Sequence, residues 1–369
     1  MKMSSWVVSQ KFQAFVPYGT EAFFIFHLPL NDLNEKENKK MKRFMRVLAA
    51  MMIAAMMFAL TGCGAGEKSG DTLKAVVIKQ LDHASLDEIA SAIEASLKEE
   101  AKKAGKEIEI EVVSGQNDST VLKQLSEQAV SEGADVIVAI ATLAAQIAAG
   151  SAKGTGIPVV YAAVSDPEGA GLTGLENVTG TSDALNTAFI LDMMFALDTK
   201  PSKVGLLYSL SETNSEKPIS EAKEILQQKG VEFTEATAES PDEVRAAVSL
   251  LVSNGVDAVF TPTDNVIMAS ELAIYQDLID AGIPHFTGAD SFVRNGGFTT
   301  CGVNYTDLGT RTGEYAFRAA VQGTEGMEDF YLMDGGIITV NTETASALGI
   351  DYSVFAEMGE LVEVVTTED

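Results

Sequence analysis

Strand-length apolar runs alternate with helix-length amphipathic segments from about residue 72 onward, and this alternation limits the possible folds more than any other feature. The apolar runs are 73–78, 108–113, 136–141, 158–163, 204–208, 231–234, 258–260 and 283–286. The helical segments are 85–104, 119–132, 183–196, 215–229, 241–253 and 266–281. Nearly continuous apolar strands separated by amphipathic helices are typical of parallel sheets covered on both faces. The sequence therefore predicts an α/β fold.

The chain also contains an internal sequence repeat in the residues that lead into predicted strands. Residues 133–138 (GADVIV) are similar to residues 255–260 (GVDAVF), and residues 156–159 (GIPV) are similar to residues 282–285 (GIPH). The alternating region is too long for one ordinary domain, because domains average roughly 150 residues. We therefore predict two doubly wound parallel-sheet domains with the same winding.

A leader-like pattern precedes this region. The basic stub 41–46 (MKRFMR) is followed by the uncharged run 47–60 and by LTGC, which ends at Cys63. Such an order is typical of a secretory signal, and the apolar run is shorter than the roughly 20 residues of a membrane-spanning helix. LTGC resembles the bacterial lipobox, whose cysteine carries the lipid. The alternative is a buried helix that ends in Gly-Cys by chance.

The position of this signal-like pattern divides residues 1–71 into three predicted segments. We predict a signal peptide over 41–62, lipidation at Cys63 and a short polar tether over 63–71. Residues 1–40 do not fit a signal pattern, so we predict that translation starts at Met41 and that 1–40 are an extension outside the protein. The mature chain is expected to be extracytoplasmic and anchored to the cell membrane through its lipid.

Composition and motifs exclude several classes of function. The 26 basic and 53 acidic residues give a net charge of −27, which repels nucleic acid. The chain has no GxSxG, GxxxxGK or CxxC motif, and its histidines beyond Cys63 are His83 and His285. A metal site normally needs clustered His and Cys ligands. We therefore predict no catalytic residue, no metal and no cofactor. His285 lies in an apolar run and is expected in the core.

Polar residues cluster after the predicted strands. Ligands bind beyond the carboxyl ends of the strands in open parallel sheets. Two interpretations stay open, because such residues can cap the following helices or can help helix starts to hold an anionic ligand group. The candidate ligand-binding residues are His83, Gln116, Thr142, Ser165, Asp166, Thr181, Ser182, Tyr208, Asn214, Thr263, Asp264, Asn265, Asp290 and Tyr305.

Several of these stretches resemble a known family. From residue 73 to about 360 the chain is similar to the ABC-transporter substrate-binding lipoproteins whose studied members bind tryptophan, tyrosine or phenylalanine. The resemblance is carried by 138–146 (VAIATLAAQ), 163–167 (AVSDP), 177–183 (NVTGTSD), 205–208 (GLLY), 214–215 (NS), 262–265 (PTDN) and 307–309 (DLG). It implies a type I periplasmic-binding-protein fold, in which two similar lobes joined by three hinge crossings close on the ligand.

The resemblance also implies how the chain is divided and what it works with. The expected N-terminal lobe contains 72–183 plus 306–322, and the expected C-terminal lobe contains 184–305 plus 323–369. ABC permease and ATPase subunits are the implied partners, together with a small-molecule ligand and the membrane that holds the lipid. Nucleic acid is not an expected partner.

We therefore predict a solute-binding lipoprotein of an ABC importer, with an aromatic amino acid as the first-choice ligand. Thr142, Thr181 and Ser182 are expected to hold the ligand carboxylate, and Asp264 or Asp290 its ammonium. The residues expected to orient the ligand or to cover its ring are Asn214, Asn265, Tyr208, Tyr305 and His83. The alternatives are a binding protein for a nucleoside or sugar and a ligand-sensing lipoprotein without transport.

Two further classes remain as rivals. A sugar- or nucleoside-responsive regulator would need a DNA-binding domain before the first strand, where the leader pattern lies. An exported enzyme would need a nucleophile–base pair, and the sequence offers none.

Overall fold

Two mostly parallel sheets, each covered by helices, make up residues 72–367, the part of the chain that the computed structural model describes. The predicted extension 1–40, signal peptide 41–62, lipidation site Cys63 and tether 63–71 all lie outside the described residues. Within 72–367, no helix is both long and apolar enough to cross a membrane.

The chain alternates strands and helices almost throughout. The strands are β1 (Thr72–Lys79), β2 (Glu107–Ser114), β3 (Val136–Ile140), β4 (Val159–Ala162), β5 (Val178–Ser182), β6 (Lys203–Tyr208), β7 (Glu232–Thr237), β8 (Ala258–Thr261), β9 (His285–Thr287), β10 (Thr299–Gly302), β11 (Tyr331–Leu332), β12 (Ile337–Asn341) and β13 (Glu360–Val364). The helices are α1 (Ala84–Lys103), α2 (Ser119–Ser131), α3 (Thr142–Ala152), α4 (Thr187–Ala196), α5 (Thr213–Lys229), α6 (Pro241–Ser253), α7 (Asn265–Met268), α8 (Glu271–Asp280), α9 (Asp290–Arg294), α10 (Tyr305–Gln322) and α11 (Thr342–Leu348).

The two sheets are wound in the same way. The first has the order β11-β5-β4-β3-β1-β2, and the second has the order β13-β12-β10-β9-β8-β6-β7. Strands β1 to β5 therefore occupy the same places as β6 to β10. All these strands run parallel, while β12 is antiparallel to β10. The predicted α/β fold of two doubly wound lobes is confirmed.

The internal repeat marks equivalent places in the two sheets. Residues 133–138 lead into β3 and residues 255–260 lead into β8, the third strand of each winding. Each copy carries an aspartate that binds the backbone at the start of the neighbouring strand. Asp135 Oδ2 accepts the N–H of Lys74 at 2.8 Å, and Asp257 Oδ2 accepts the N–H of Lys203 at 3.0 Å. In each sheet, the repeated aspartate thus links two neighbouring strands near their amino-terminal ends.

The chain passes between the sheets three times, at 183–186, 303–304 and 333–336. After the second crossing, α10 packs on α1 and on the first sheet. Gly309 allows this close contact, because a Cβ there would lie 2.6 Å from the backbone oxygen of Ile89. The predicted lobe boundary placed 323–369 in the second lobe, whereas Tyr331–Leu332 pairs with β5 of the first sheet.

Two predicted helices differ from those observed. The segment predicted as a helix over 183–196 becomes helical at Thr187, because 183–186 cross between the sheets and Asn186 accepts the N–H of Phe189. The segment predicted over 266–281 divides into α7 and α8, with a break at 269–270. As expected, His285 is a core residue whose ring is bonded on both sides, by Glu271 at 3.0 Å and by Thr261 at 2.8 Å.

Candidate functional site

The carboxyl ends of strands from both sheets meet around one cavity, as expected for parallel α/β lobes. The space within it that is open to the centre of a water-sized sphere is about 30 Å³. The cavity is lined by His83, Ser85, Leu86, Ile89, Ala141, Thr142, Ala163, Ser165, Asp183, Asn214, Thr263, Asp264, Asn265, Met268, Ala289, Ser291, Phe292 and Tyr305. These residues come from loops and helix starts of both lobes.

The two lobes touch across this cavity. Three side-chain hydrogen bonds connect them: Gln80 to Glu212 at 2.7 Å, His83 to Asn265 at 3.2 Å and Ser165 to Thr263 at 2.9 Å. Side chains of separate lobes reach hydrogen-bonding distance only when the lobes are together. The structure therefore shows the closed arrangement.

One end of the cavity is suited to an anion. The first turns of α1 and α3 present Ser85 and Thr142, which are 4% and 3% exposed and whose hydroxyl oxygens have no hydrogen-bond partner. Helix N-terminal N–H groups and their dipole favour negative charge. No lysine or arginine in the described part of the chain lines the cavity. An anionic group here would be held by hydroxyls and backbone N–H groups.

The backbone that positions these groups is strained. Ala141, directly before α3, has φ 76° and ψ 165°, and Ala163, after β4, has φ 54°. Positive φ values are uncommon for residues with a Cβ, and the region that Ala141 occupies is used almost only by glycine. Strain of this kind is concentrated at functional sites. Both alanines line the cavity.

Asp183 supplies a buried carboxylate in the first crossing. Its two oxygens accept hydrogen bonds from the hydroxyls of Ser165 at 2.9 Å and of Tyr305 at 3.3 Å. Burial raises the pKa of this carboxyl. Among the described residues, no lysine or arginine forms an ion pair with it. Asp183 can therefore bind a cationic group in the cavity.

Asp264, on the second lobe, is bonded differently. Its Oδ2 accepts the N–H of Ser209 and the hydroxyl of Ser215, both at 2.7 Å. Its Oδ1 accepts the N–H groups of Val266 at 3.1 Å and Ile267 at 3.0 Å, so it caps α7. These four donors within its own lobe use most of the acceptor capacity of a carboxylate.

His83 precedes α1 and presents an acceptor to the cavity. Asn265 donates its Nδ2–H to Glu212 at 2.7 Å, which leaves Oδ1 of Asn265 to accept from Nε2–H of His83. The proton of the neutral ring is therefore on Nε2, and the buried Nδ1 is an acceptor without a partner. Burial lowers the pKa of His83, which keeps the ring neutral.

Apolar side chains form the rest of the wall. They are Leu86, Ile89, Met268, Ala289, Phe292 and the ring of Tyr305. A small number of polar groups set in a mostly apolar wall is the usual composition of a site for a small organic ligand. The wall can therefore bury a nonpolar side chain while the polar groups hold charged ends.

Eight of the predicted site residues line the cavity. They are His83, Thr142, Ser165, Asn214, Thr263, Asp264, Asn265 and Tyr305. Their contribution to ligand binding stays a prediction, and for Asp264 the observed contacts favour the capping interpretation.

The other six predicted site residues are not among those that line the cavity, and each has its own contacts. Gln116 is exposed and donates to Asp82, Asp166 accepts the N–H of Gly169, Thr181 bonds Thr312 beneath α10, Ser182 lies within β5 near the carbonyl of Ser165, Tyr208 donates to Glu235, and Asp290 accepts from Arg294. The structure thus provides no cavity contact for Thr181 and Ser182 with a carboxylate, or for Asp290 with an ammonium.

The candidate residues did not include several that line the cavity. Asp183 follows β5, so the rule of strand ends could have selected it. Ser85 lies in the first turn of α1, where a helix start is itself the signal. Met268 and Phe292 lie inside short helices, and no sequence pattern distinguishes them from core residues.

A closed cavity between two similarly wound α/β lobes defines a two-lobed solute-binding protein. Residues 74–357 match the family described as ABC transporter substrate binding protein. The chain belongs to this family, whose members bind substrates and are not enzymes. Substrate-binding proteins of ABC transporters work outside the cytoplasm. The family and the type I periplasmic-binding-protein fold expected from the sequence are confirmed.

Individual relatives agree with this assignment. A tyrosine-binding protein of Clostridioides difficile (strain R20291) is 30% identical over 325 residues, which cover 84% of this chain and 93% of the relative. The ABC domain from Streptococcus pneumonia in complex with L-Trp is 28% identical, with a TM-score of 0.71, and the match covers 79% of this chain and 100% of that one. A ligand-free, open substrate-binding protein with adhesive properties from Clostridium difficile is 29% identical, with a TM-score of 0.60, over 80% of this chain and 100% of that one.

Proposed function

We propose that this protein is an extracytoplasmic, lipid-anchored substrate-binding protein of an ABC importer, and that it binds an aromatic amino acid between its lobes. The observation that carries the proposal is a set of three buried polar atoms without partners: Nδ1 of His83, Oγ of Ser85 and Oγ1 of Thr142. All three residues line the same cavity. Buried polar atoms are nearly always hydrogen-bonded, so these atoms are suited to bonds with a ligand.

The carboxylate of the amino acid is placed at the starts of α1 and α3. The hydroxyls of Ser85 and Thr142 have no hydrogen-bond partner there. The first turn of α3 contains no acidic residue, and Asp87, in the first turn of α1, is exposed and forms an ion pair with Lys79. Two helix N-termini and two hydroxyls replace the arginine that many carboxylate sites use.

The ammonium group is placed at Asp183. Its two observed partners are hydroxyls, so each carboxylate oxygen still has a free lone pair. A ligand ammonium would neutralise a charge that is otherwise buried without a cation, a situation that costs several kcal/mol when it is left uncompensated. Asp264 has four donors already and is the weaker candidate for this contact.

The apolar wall of the cavity and two relatives support the proposal that the ligand has an aromatic side chain. Leu86, Ile89, Met268 and Phe292 offer an apolar surface that a ring can cover. A neutral sugar would leave the charge of Asp183 uncompensated. Two relatives are named for tyrosine and for L-Trp, and both match more than three quarters of this chain.

The ligand can be identified directly. Native mass spectrometry of the protein, purified without added ligand and released from its lipid, is expected to show a bound mass equal to tyrosine, tryptophan or phenylalanine. Displacement by an added isotope-labelled amino acid is the control for specific binding. A bound sugar or nucleoside mass, or no amino-acid binding after denaturation and refolding, would contradict the proposal.

The lipid anchor has its own test. Because Cys63 ends the LTGC tetrapeptide, metabolic labelling with a fatty acid is expected to mark the wild type and to leave Cys63→Ala unlabelled. Cys301 is buried, and Cys301→Ala is the matched control that should keep the label. Equal labelling of wild type and Cys63→Ala would remove the anchor from the proposal.

A further inference from the structure

Glu212 lies at the centre of the contacts between the two lobes. It follows β6 on the second lobe and is 4% exposed. Its Oε1 accepts from Nε2 of Gln80 on the first lobe, and its Oε2 accepts from Nδ2 of Asn265, both at 2.7 Å. Glu212 does not line the cavity, so direct ligand contact does not explain its burial.

Each of the two amides extends the contact to a helix start of the first lobe. Oε1 of Gln80 accepts the N–H of Leu143, in the first turn of α3, at 3.1 Å. Oδ1 of Asn265 bonds His83, the residue before α1, at 3.2 Å. The carboxyl of Glu212 is thus connected to the start of α3 through Gln80 and to the start of α1 through Asn265. These are the two helix starts at which the ligand carboxylate is proposed to bind.

We propose that Glu212 is a positioning residue that holds the closed lobes on the ligand, and that it takes up a proton as the lobes close. The proposal rests on the proposed function, because it gives the closed state a role in ligand binding. It follows from the position of a buried carboxyl whose contact with Gln80 exists only when the lobes are together.

The surroundings of Glu212 favour its neutral form. Burial, followed by the negative charge of Asp264, raises the pKa of Glu212 to about 7 from its ordinary 4.5. The other groups that face it are the neutral amides of Gln80, Asn214 and Asn265, and no lysine or arginine of the described residues pairs with it. His83 lies beyond Asn265 and is neutral.

The direction of the pH effect follows from these values. Opening of the lobes would remove the contact with Gln80 and admit water to Glu212, which moves the pKa of its carboxyl down toward the ordinary 4.5. Closure raises the pKa, so the closed state binds the extra proton between about pH 4.5 and 7. Affinity that depends on Glu212 therefore falls as the pH rises through this window, by up to roughly tenfold per pH unit.

His83 acts in the opposite direction, and the experiment must separate the two groups. Burial lowers the pKa of His83 from its ordinary 6.5, so closure releases a proton from this ring at acid pH. Burial raises the pKa of Asp264, so this group adds to the uptake. Asp183 stays charged in the proposed complex, because the ligand ammonium pairs with it. A comparison of wild type with Glu212→Gln measures the Glu212 carboxyl together with its interaction with Asp264, because the remaining groups are common to both.

Calorimetric titration with L-tyrosine provides the test. The number of protons taken up per ligand is obtained at pH 7 from two buffers with different ionisation enthalpies. Wild type is expected to take up about half a proton more than Glu212→Gln, the amount for a group with a pKa near 7. From pH 6 to pH 8, the affinity of Glu212→Gln relative to wild type is expected to rise about tenfold.

Glu239→Gln is the matched control. Glu239 is exposed and accepts from Ser209 and Leu210 of its own lobe, so this variant should keep the wild-type proton count. If Glu212→Gln does not fold, Gln80→Met tests the same contact from the other lobe and should weaken L-tyrosine binding at least about fivefold.

The outcomes separate the two proposals. Equal proton counts in wild type and Glu212→Gln, with L-tyrosine bound by both, would overturn the role of Glu212 and leave the proposed function intact. Unchanged affinity in Gln80→Met would also overturn it. A wild-type protein that binds none of tyrosine, tryptophan and phenylalanine would overturn the proposed function itself.

Discussion

Asp183 and Asp264 show how neighbouring donors decide what an aspartate does. Both carboxyls are buried and both line the cavity. Asp264 is held by four donors of its own lobe, three of them backbone N–H groups. Asp183 receives only two hydroxyl donors. The sequence interpretation placed Asp264 or Asp290 at the ligand ammonium and kept helix capping as the alternative. The contacts of Asp264 favour the cap of α7 and leave Asp183 available.

Replacing each aspartate by asparagine tests this difference. We expect Asp183→Asn to fold with near wild-type stability and to lose amino-acid binding by about 2–5 kcal/mol, because the charge of a desolvated pair is removed. That loss corresponds to roughly 30- to several-thousand-fold in the dissociation constant measured by calorimetry.

Asp264→Asn is the comparison variant. Its amide nitrogen cannot accept hydrogen bonds, so donors such as the N–H of Ser209 lose their acceptor. We expect urea denaturation without ligand to show a loss of about 1–3 kcal/mol. An Asp183→Asn variant that binds within about threefold of wild type, a difference under roughly 0.7 kcal/mol, would exclude Asp183 as the ammonium partner.

At the scale of elements, the order of strands and helices was predictable because it follows from hydrophobic periodicity. Central strands such as β3, buried at every residue, produce apolar runs that no amphipathic helix matches. The repeated aspartates Asp135 and Asp257 also pointed to equivalent strand entries. Short elements were less predictable. Strand β11 has two residues and pairs with β5, which lies far earlier in the chain, so no local sequence pattern indicates this pairing.

The direction of loop side chains was the least predictable part of the site. Thr142 and Thr181 are the same residue type and both were predicted at the ligand carboxylate. Thr142 opens a helix and faces the cavity, whereas Thr181 lies inside β5 and bonds Thr312 at 2.7 Å. Because alternate strand residues face opposite sides of a sheet, a shift of a single position within a strand changes the face to which a side chain points.

The packing of α10 on α1 gives a testable prediction at the scale of helices and strands. A Cβ at Gly309 would lie 2.6 Å from the backbone oxygen of Ile89, so Gly309→Ala must move a helix. We expect urea denaturation to show a loss of about 1–3 kcal/mol, typical of overpacking. Gly150, in α3, has open space around its Cβ position, and Gly150→Ala should gain up to about 1 kcal/mol. A stable Gly309→Ala variant would show that the helices are not in close contact.

At the scale of the whole molecule, the lobes are closed on each other. Three hydrogen bonds between side chains of the two lobes hold this arrangement. The three crossings, 183–186, 303–304 and 333–336, are the segments available to act as hinges.

Closure predicts a change of shape on binding. If the free protein populates an open state, ligand shifts it toward the closed one. Small-angle X-ray scattering is expected to give a smaller radius of gyration at saturating L-tyrosine or L-tryptophan than without ligand, while D-glucose, as a control solute, has no effect. Identical profiles with and without a bound amino acid would contradict hinge closure.

The central claim is that the cavity recognises both charged ends of an aromatic amino acid. Calorimetric titration of the wild type with L-tyrosine, tyramine and 3-(4-hydroxyphenyl)propionate tests it most directly, because the two analogues lack the carboxylate and the ammonium respectively. Each analogue is expected to bind at least about 30-fold more weakly, since a buried charged partner is left unpaired. Binding of either analogue within about threefold of L-tyrosine, or of none of tyrosine, tryptophan and phenylalanine, would contradict the account.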